Sequence, residues 1–141
     1  MSAAFFETLL VPDKERPREE PEVAANIGIQ LQHMGMAHWS VSIIRRLRDA
    51  IGRLHPKNVL EFGGGIGYRS AWLMDLFENP EHQPESYTIV EEGSRFGIII
   101  KRLLDRYNAL NWAKVVVGDP LIILGEMKAW IAAGKPDDKP P

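Results

Sequence analysis

The sequence predicts an α/β domain: a parallel sheet with helices on both faces and a helical extension ahead of it. Three observations carry this. Short apolar runs at 58–62, 87–90 and 114–117 alternate with longer stretches of helical periodicity, the pattern of parallel strands joined by right-handed crossovers. The first run passes directly into the glycine turn Gly63-Gly64-Gly65-Ile66-Gly67, and a helix follows. Each of the three runs ends in an acid, a glycine loop or both. That places candidate ligand contacts along one edge of the sheet, the carboxyl edge, where open α/β sheets bind ligands.

The elements follow in order. Phe5, Phe6, Leu9 and Leu10 are spaced for one or two helical turns. Residues 12–21 are charged and interrupted by three prolines, so 1–21 reads as an exposed arm or linker. From Glu22 to about Met36 the pattern is helical, interrupted by Gly28 and Gly35. Ser40 is placed to cap an amphipathic helix. Its apolar stripe is Ile43, Ile44, Leu47, Ile51 and Leu54, with Arg45, Arg46, Arg48 and Arg53 expected on the solvated side. Asn58–Phe62 is a strand, Tyr68 to about Glu78 a helix, and Asn79–Glu85 a polar loop. Tyr87–Val90 is the second strand, Arg95–Tyr107 a helix, and Lys114–Val117 the third strand. A helix from about Leu121 to Ala132 closes the series. The compact unit is therefore expected over 22–133, followed by a polar, proline-rich tail over 134–141.

Composition narrows the function. A chain of 141 residues fits one domain, and a domain of that size buries roughly 70% of its unfolded surface. A net charge of −2 gives no electrostatic case for nucleic acid or an anionic membrane as the main partner. Cysteine is absent, which excludes disulfides, thiolate metal sites and cysteine nucleophiles. No apolar run approaches the roughly 18 residues of a membrane span. The first residues lack the basic flank and long apolar core of a signal peptide. A cytoplasmic protein is the expectation.

The chemistry concentrates at the strand ends. A glycine loop opening a helix exposes backbone N–H groups and lets a ligand approach closely; the same loop also serves as a plain strand-to-helix bend. Its G-x-G-x-G spacing differs from the G-x-G-x-x-G of dinucleotide sites. Glu61, two residues before Gly63, would face a pyrophosphate with like charge, so electrostatics favours a cationic ligand end. Glu91 closes the second strand and can accept both hydroxyls of a ribose. Glu92 is the competing residue, because a slip of one position exchanges the two. Asp119 can accept an adenine amino group, cap the last helix ahead of Pro120, or do both. His33 and His38 lie near the expected pocket without a visible partner and read as surface or capping residues. Trp39, Trp72, Trp112 and Trp130 read as packing residues, with Trp112 the one nearest an adenine position.

Val-Leu-Glu-Phe-Gly-Gly-Gly-Ile-Gly-Tyr, Thr-Ile-Val-Glu and Val-Val-Gly-Asp-Pro resemble the first three motifs of the class I S-adenosylmethionine-dependent methyltransferases, over about residues 36–133. The Gly67-Tyr68 pair and the helix leading into the first strand are most similar to the catechol-type small-molecule O-methyltransferases. The resemblance implies a Rossmann-like sheet and S-adenosylmethionine as cofactor. Glu61 would hold the methionine ammonium, Gly63, Gly65 and Gly67 would bed the methionine portion, and Tyr68 would border that pocket. Glu91 would bind the ribose and Asp119 the adenine. Catechol-type enzymes often carry serine directly after the tyrosine; here Arg69 stands there and Ser70 follows.

The family continues into a fourth strand and beyond, and its metal-dependent members draw their ligands from that part. Asp137 and Asp138 sit in the proline-rich tail and are read as solvated, so no metal is expected. The catalytic residues stay unassigned. The expectation is the cofactor-binding half of a methyltransferase acting on a small-molecule acceptor. The alternative is a non-catalytic nucleotide- or S-adenosylmethionine-binding or interaction module. In the family's strand order the first strand is central, so its edge is expected to be open and covered by another copy of the chain.

Overall fold

A computed structural model describes residues 20–135. The apolar cluster expected at Phe5, Phe6, Leu9 and Leu10, residues 12–19 of the expected arm, and Asp137 and Asp138 lie outside the described residues. The element order is α1 (Glu22–His33), α2 (Val41–Leu54), β1 (Asn58–Phe62), α3 (Tyr68–Phe77), β2 (Ser86–Glu91), α4 (Ser94–Arg106), β3 (Ala113–Val117) and α5 (Pro120–Ala132). The strands form one parallel sheet in the order β1-β2-β3.

Register decides which face each residue takes. Val59 pairs with Tyr87 and Glu61 with Ile89, while Leu60 pairs with Thr88. Neighbouring residues of a strand point to opposite faces. Tyr87 and Ile89 are buried with Leu73, Met74 and Phe77 of α3 and with Ile100 and Leu104 of α4. Helices α3 and α4 therefore cover that face. A second cluster packs Ala24 and Leu31 of α1 and Ile44 of α2 against Tyr68, Ala71 and Trp72, which makes α1 and α2 an outer layer on α3. The other face carries Leu60 and Thr88, and α5 lies over it across a groove of about 380 Å³ lined by Leu124, Met127, Trp130 and Ile131.

Most elements fall where the sequence puts them. Helix α1 is shorter than expected, because Gly35 adopts a left-handed φ of 69°. The turn around it returns Met36 N–H to Leu31 O at 2.9 Å, a glycine-type helix stop. Gly28 stays inside α1, where a Cβ would come within 3.3 Å of the Tyr68 ring; the bare position lets α1 approach α3. Ser40 caps α2 by accepting from Ile43 N–H at 3.4 Å. One expectation fails: Arg45 is not on a solvated face but is 3% exposed. Arg48 also turns inward, with its guanidinium 5.1 Å from the centre of the Trp72 ring and ion pairs to Asp49 and Asp75. The stems of such residues cover apolar surface while their heads find partners, which is how arginines beside an apolar stripe turn toward α3 rather than into solvent. No described helix is long and apolar enough to cross a membrane.

Candidate functional site at the carboxyl edge of the sheet

The glycine loop is held from below. Gly63 N–H donates to Val90 O at 2.8 Å, and Gly67 N–H closes the turn onto Gly64 O at 2.9 Å. Gly67, at φ 95°, is the residue from which α3 starts. The glycines differ in what surrounds them. A Cβ on Gly64 would meet Ile100 and Ile89 at 2.6 and 2.7 Å, whereas nothing lies within 4 Å of one on Gly63 or Gly65. Gly64 serves packing; Gly63 and Gly65 present bare backbone to open space.

Glu91 is the clasp of this loop. Its carboxylate accepts Gly65 N–H at 2.9 Å and Gly93 N–H at 2.6 Å, so it ties the glycine loop to the turn that follows β2. Glu91 pairs with Val117 as the last residue of β2, while Glu92 is exposed. Glu91, not Glu92, thus ends the strand and reaches the glycine loop.

Glu61 is buried on the α3 side of the sheet. Arg69 Nε donates to it at 2.8 Å, Ser70 Oγ approaches its two oxygens at 3.0 and 3.2 Å, and the Tyr87 hydroxyl donates to it as well. Burial, with the Glu61 charge beside it, pushes the Tyr87 hydroxyl well above its ordinary pKa. Arg69 Nη2 also donates to Phe62 O at 2.7 Å and Gly63 O at 3.1 Å, and its guanidinium lies 5.3 Å from the centre of the Trp39 ring. Over the loop sits a pocket of about 170 Å³, walled by Leu31, Met36, His38, Trp39, Tyr68 and Arg69. The Tyr68 ring lies 4.4 Å from that of His38, and its hydroxyl donates to Glu20 at 3.2 Å; burial raises its pKa.

Asp119 follows β3 and caps α5, accepting Leu121 N–H at 2.8 Å and Ile122 N–H at 3.4 Å. Glu61 and Glu91 therefore face one side of the sheet, and Asp119 stands at the same carboxyl edge. The histidines and tryptophans divide differently. His38 lines the pocket, but His33 is exposed at the end of α1 and takes no part in its wall. Trp39 is half-exposed over Arg69 rather than packed inside. Trp112 sits at the opposite edge, where its carbonyl accepts Tyr87 N–H and its ring meets Phe77 edge-on. Sequence reasoning missed Gly64, Arg69, Ser70 and Tyr87. An acid ending a strand with a base in the first turn of the next helix was the available signal for Arg69. Among the described residues no group of three His, Cys, Asp or Glu could hold a metal ion.

No family model matches the chain, and no curated protein does. Solved structures do match. A methyltransferase from Geobacter sulfurreducens superposes with a TM-score of 0.64 at 18% identity, over 87% of this chain and 60% of its own. The O-methyltransferase TomG from Streptomyces achromogenes, involved in tomaymycin synthesis and solved with S-adenosylmethionine, gives 0.61 at 21% identity, over 88% and 52%. The fold is the one these methyltransferases share. An O-methyltransferase from Bacillus cereus in complex with S-adenosylhomocysteine gives 0.61 at 15% identity, over 89% and 53%. The chain spans between 52% and 60% of the length of these three methyltransferases.

Proposed function

We propose that this chain is the cofactor-binding unit, over residues 22–133, of an S-adenosylmethionine-dependent O-methyltransferase acting on a small-molecule acceptor. One observation supports this above the others: Glu91 is fixed beneath Gly65, in a loop where a Cβ on Gly63 or Gly65 would meet nothing within 4 Å. An adenosyl ligand fits that donor set. Glu91 would receive the ribose hydroxyls, Asp119 the adenine amino group, and Gly63, Gly65, Gly67 and Tyr68 would border the amino-acid end. Glu61 lies below the loop with its charge already met by Arg69. The bound cofactor would supply an activated methyl group, and the contribution of this chain is to hold it still and oriented. Calorimetric titration tests the reading: S-adenosylhomocysteine should bind and NAD should not, and the reverse result removes it.

A non-catalytic S-adenosylmethionine- or nucleotide-binding module is the second reading. Binding of S-adenosylhomocysteine without methyl transfer to any of a panel of small phenols and hydroxy acids would select it. We further propose a cytoplasmic protein that associates with a second copy along β1. The β1 edge has no neighbour among the described strands, and α5 carries exposed apolar side chains, with Leu121 78% exposed and Ile122 63% exposed. Apolar surface of that kind marks association sites. Sedimentation velocity should show a dimer that dissociates on dilution; a monomer at every concentration rules the association out.

A further inference from the structure

We propose that Arg69, rather than Glu61, meets the charged amino-acid end of the ligand, so that the glycine loop acts as a carboxylate receptor. The inference rests on the cofactor reading above and names the residue that sets which charge the site accepts.

The first support is that Glu61 is already engaged. It is 7% exposed, and Arg69 Nε–H, Ser70 O–H and Tyr87 O–H all point at it. Its negative charge has a guanidinium beside it at 2.8 Å. A ligand ammonium seeking Glu61 would have to displace that guanidinium and leave it unpaired at a partly buried position, which is strongly unfavourable. The second support is the state of Arg69. Guanidinium carries five N–H donors. One goes to Glu61, and Nη2 serves Phe62 O and Gly63 O. Nη1 has no partner among the described residues. The group is pinned along two sides, lies beside the Trp39 ring, and forms part of the wall of the pocket over Gly63 and Gly65. Its side chain is 25% exposed, so the remaining N–H groups are reachable.

Together these invert the electrostatics that the sequence suggests. Glu61 and Arg69 sum to zero charge, and what remains unspent is a donor edge carrying positive character. A planar carboxylate accepts from such an edge with a charge-assisted hydrogen bond, and the guanidinium is ordered before the ligand arrives. A nucleotide phosphate shares the anionic chemistry. The pocket of about 170 Å³ adjoins the loop where an amino-acid tail would run, so the carboxylate is the group to which the geometry points.

Calorimetry on the full chain tests this with three ligands: S-adenosylhomocysteine, 5′-methylthioadenosine, which lacks the amino-acid end, and ADP. Arg69→Ala should weaken S-adenosylhomocysteine by about ten-fold or more, the loss expected of a hydrogen bond to a charged group, and leave 5′-methylthioadenosine unchanged. Glu61→Gln keeps Arg69 in place and should hold or tighten S-adenosylhomocysteine binding. Circular dichroism checks that both variants fold. Unchanged or tighter S-adenosylhomocysteine binding in Arg69→Ala overturns the inference. So does a ten-fold weakening in folded Glu61→Gln, on the order of a lost charged contact, because it would return the ammonium to Glu61. ADP binding tighter than S-adenosylhomocysteine assigns the site to phosphate and overturns it too. A wild-type chain that binds neither adenosyl ligand fails the cofactor reading itself, and this inference with it.

Discussion

Gly64 and Gly65 are chain neighbours with opposite tasks. A methyl group on Gly64 would press on Ile89 and Ile100, both fully buried, with no room for either to turn. Overpacking of this kind costs about 1–3 kcal/mol, so Gly64→Ala should lower the urea midpoint by that equivalent. Gly65→Ala meets no atom but holds a left-handed φ of 59°, a strain of about 1–2 kcal/mol. Its methyl would also occupy the ligand bed, so its loss of S-adenosylhomocysteine affinity should exceed that of Gly64→Ala. Tyr87 gives a pH signature. Its hydroxyl titrates near pH 10 in the unfolded chain and well above that when folded, so its contribution is intact below about pH 10 and is lost as pH climbs toward the folded value. Stability should fall by up to about 1.4 kcal/mol per pH unit from this group, and Tyr87→Phe should flatten the fall. Tyr68 and Tyr107 are also raised and keep it from vanishing. The sequence showed Glu61 and Glu91 because a strand end is a local feature. It hid Tyr87 and Arg69 because their partners are set by register and by the return of α3 over the loop, across 26 and 8 residues of chain.

Helix α5 begins on a residue with two candidate tasks, and substitution can separate them. Asparagine caps as well as aspartate, so Asp119→Asn should stay within about 1 kcal/mol of wild type, the difference being the lost charge at the helix start. Asp119→Ala should lose about 1 kcal/mol through the cap. With its side-chain oxygen held by Leu121 N–H, the asparagine would offer N–H instead of a second acceptor. Weaker S-adenosylhomocysteine binding by Asp119→Asn at unchanged thermal stability is the result the adenine contact requires; unchanged affinity leaves Asp119 a cap alone. Element positions were legible in the sequence because periodicity and punctuation agree. Pro120 opens α5 and Ser40 caps α2 as read. Strand ends were less legible: β2 runs one residue further at each end than its apolar core, because Ser86 finds Asn58 and Glu91 finds Val117. The burial of Arg45 was illegible, since an arginine beside an apolar stripe reads as solvated until the packing of the helix is known.

Across the whole molecule, one face of the sheet is thickly covered and the other thinly. On the first, α3 and α4 close over Tyr87 and Ile89, and α1 with α2 close over α3. On the second, α5 alone crosses the sheet, and Leu60 and Phe62 remain partly exposed. The parallel topology was legible because every strand is followed by a helix of crossover length. The imbalance was not visible in local pattern, because Leu121 to Leu124 reads as a buried run whatever lies against it. The unpartnered side of β1 has a consequence that deuterium can report. Gly63 N–H turns toward Val90, so alternation along the strand directs the amides of Val59 and Glu61 the same way and those of Leu60 and Phe62 outward. In heavy water at low protein concentration, Leu60 and Phe62 should take up label quickly while Val59 and Glu61 retain their protons. Slow labelling at all four positions in concentrated solution, with the gaps reopening on dilution, would report a neighbour that comes and goes.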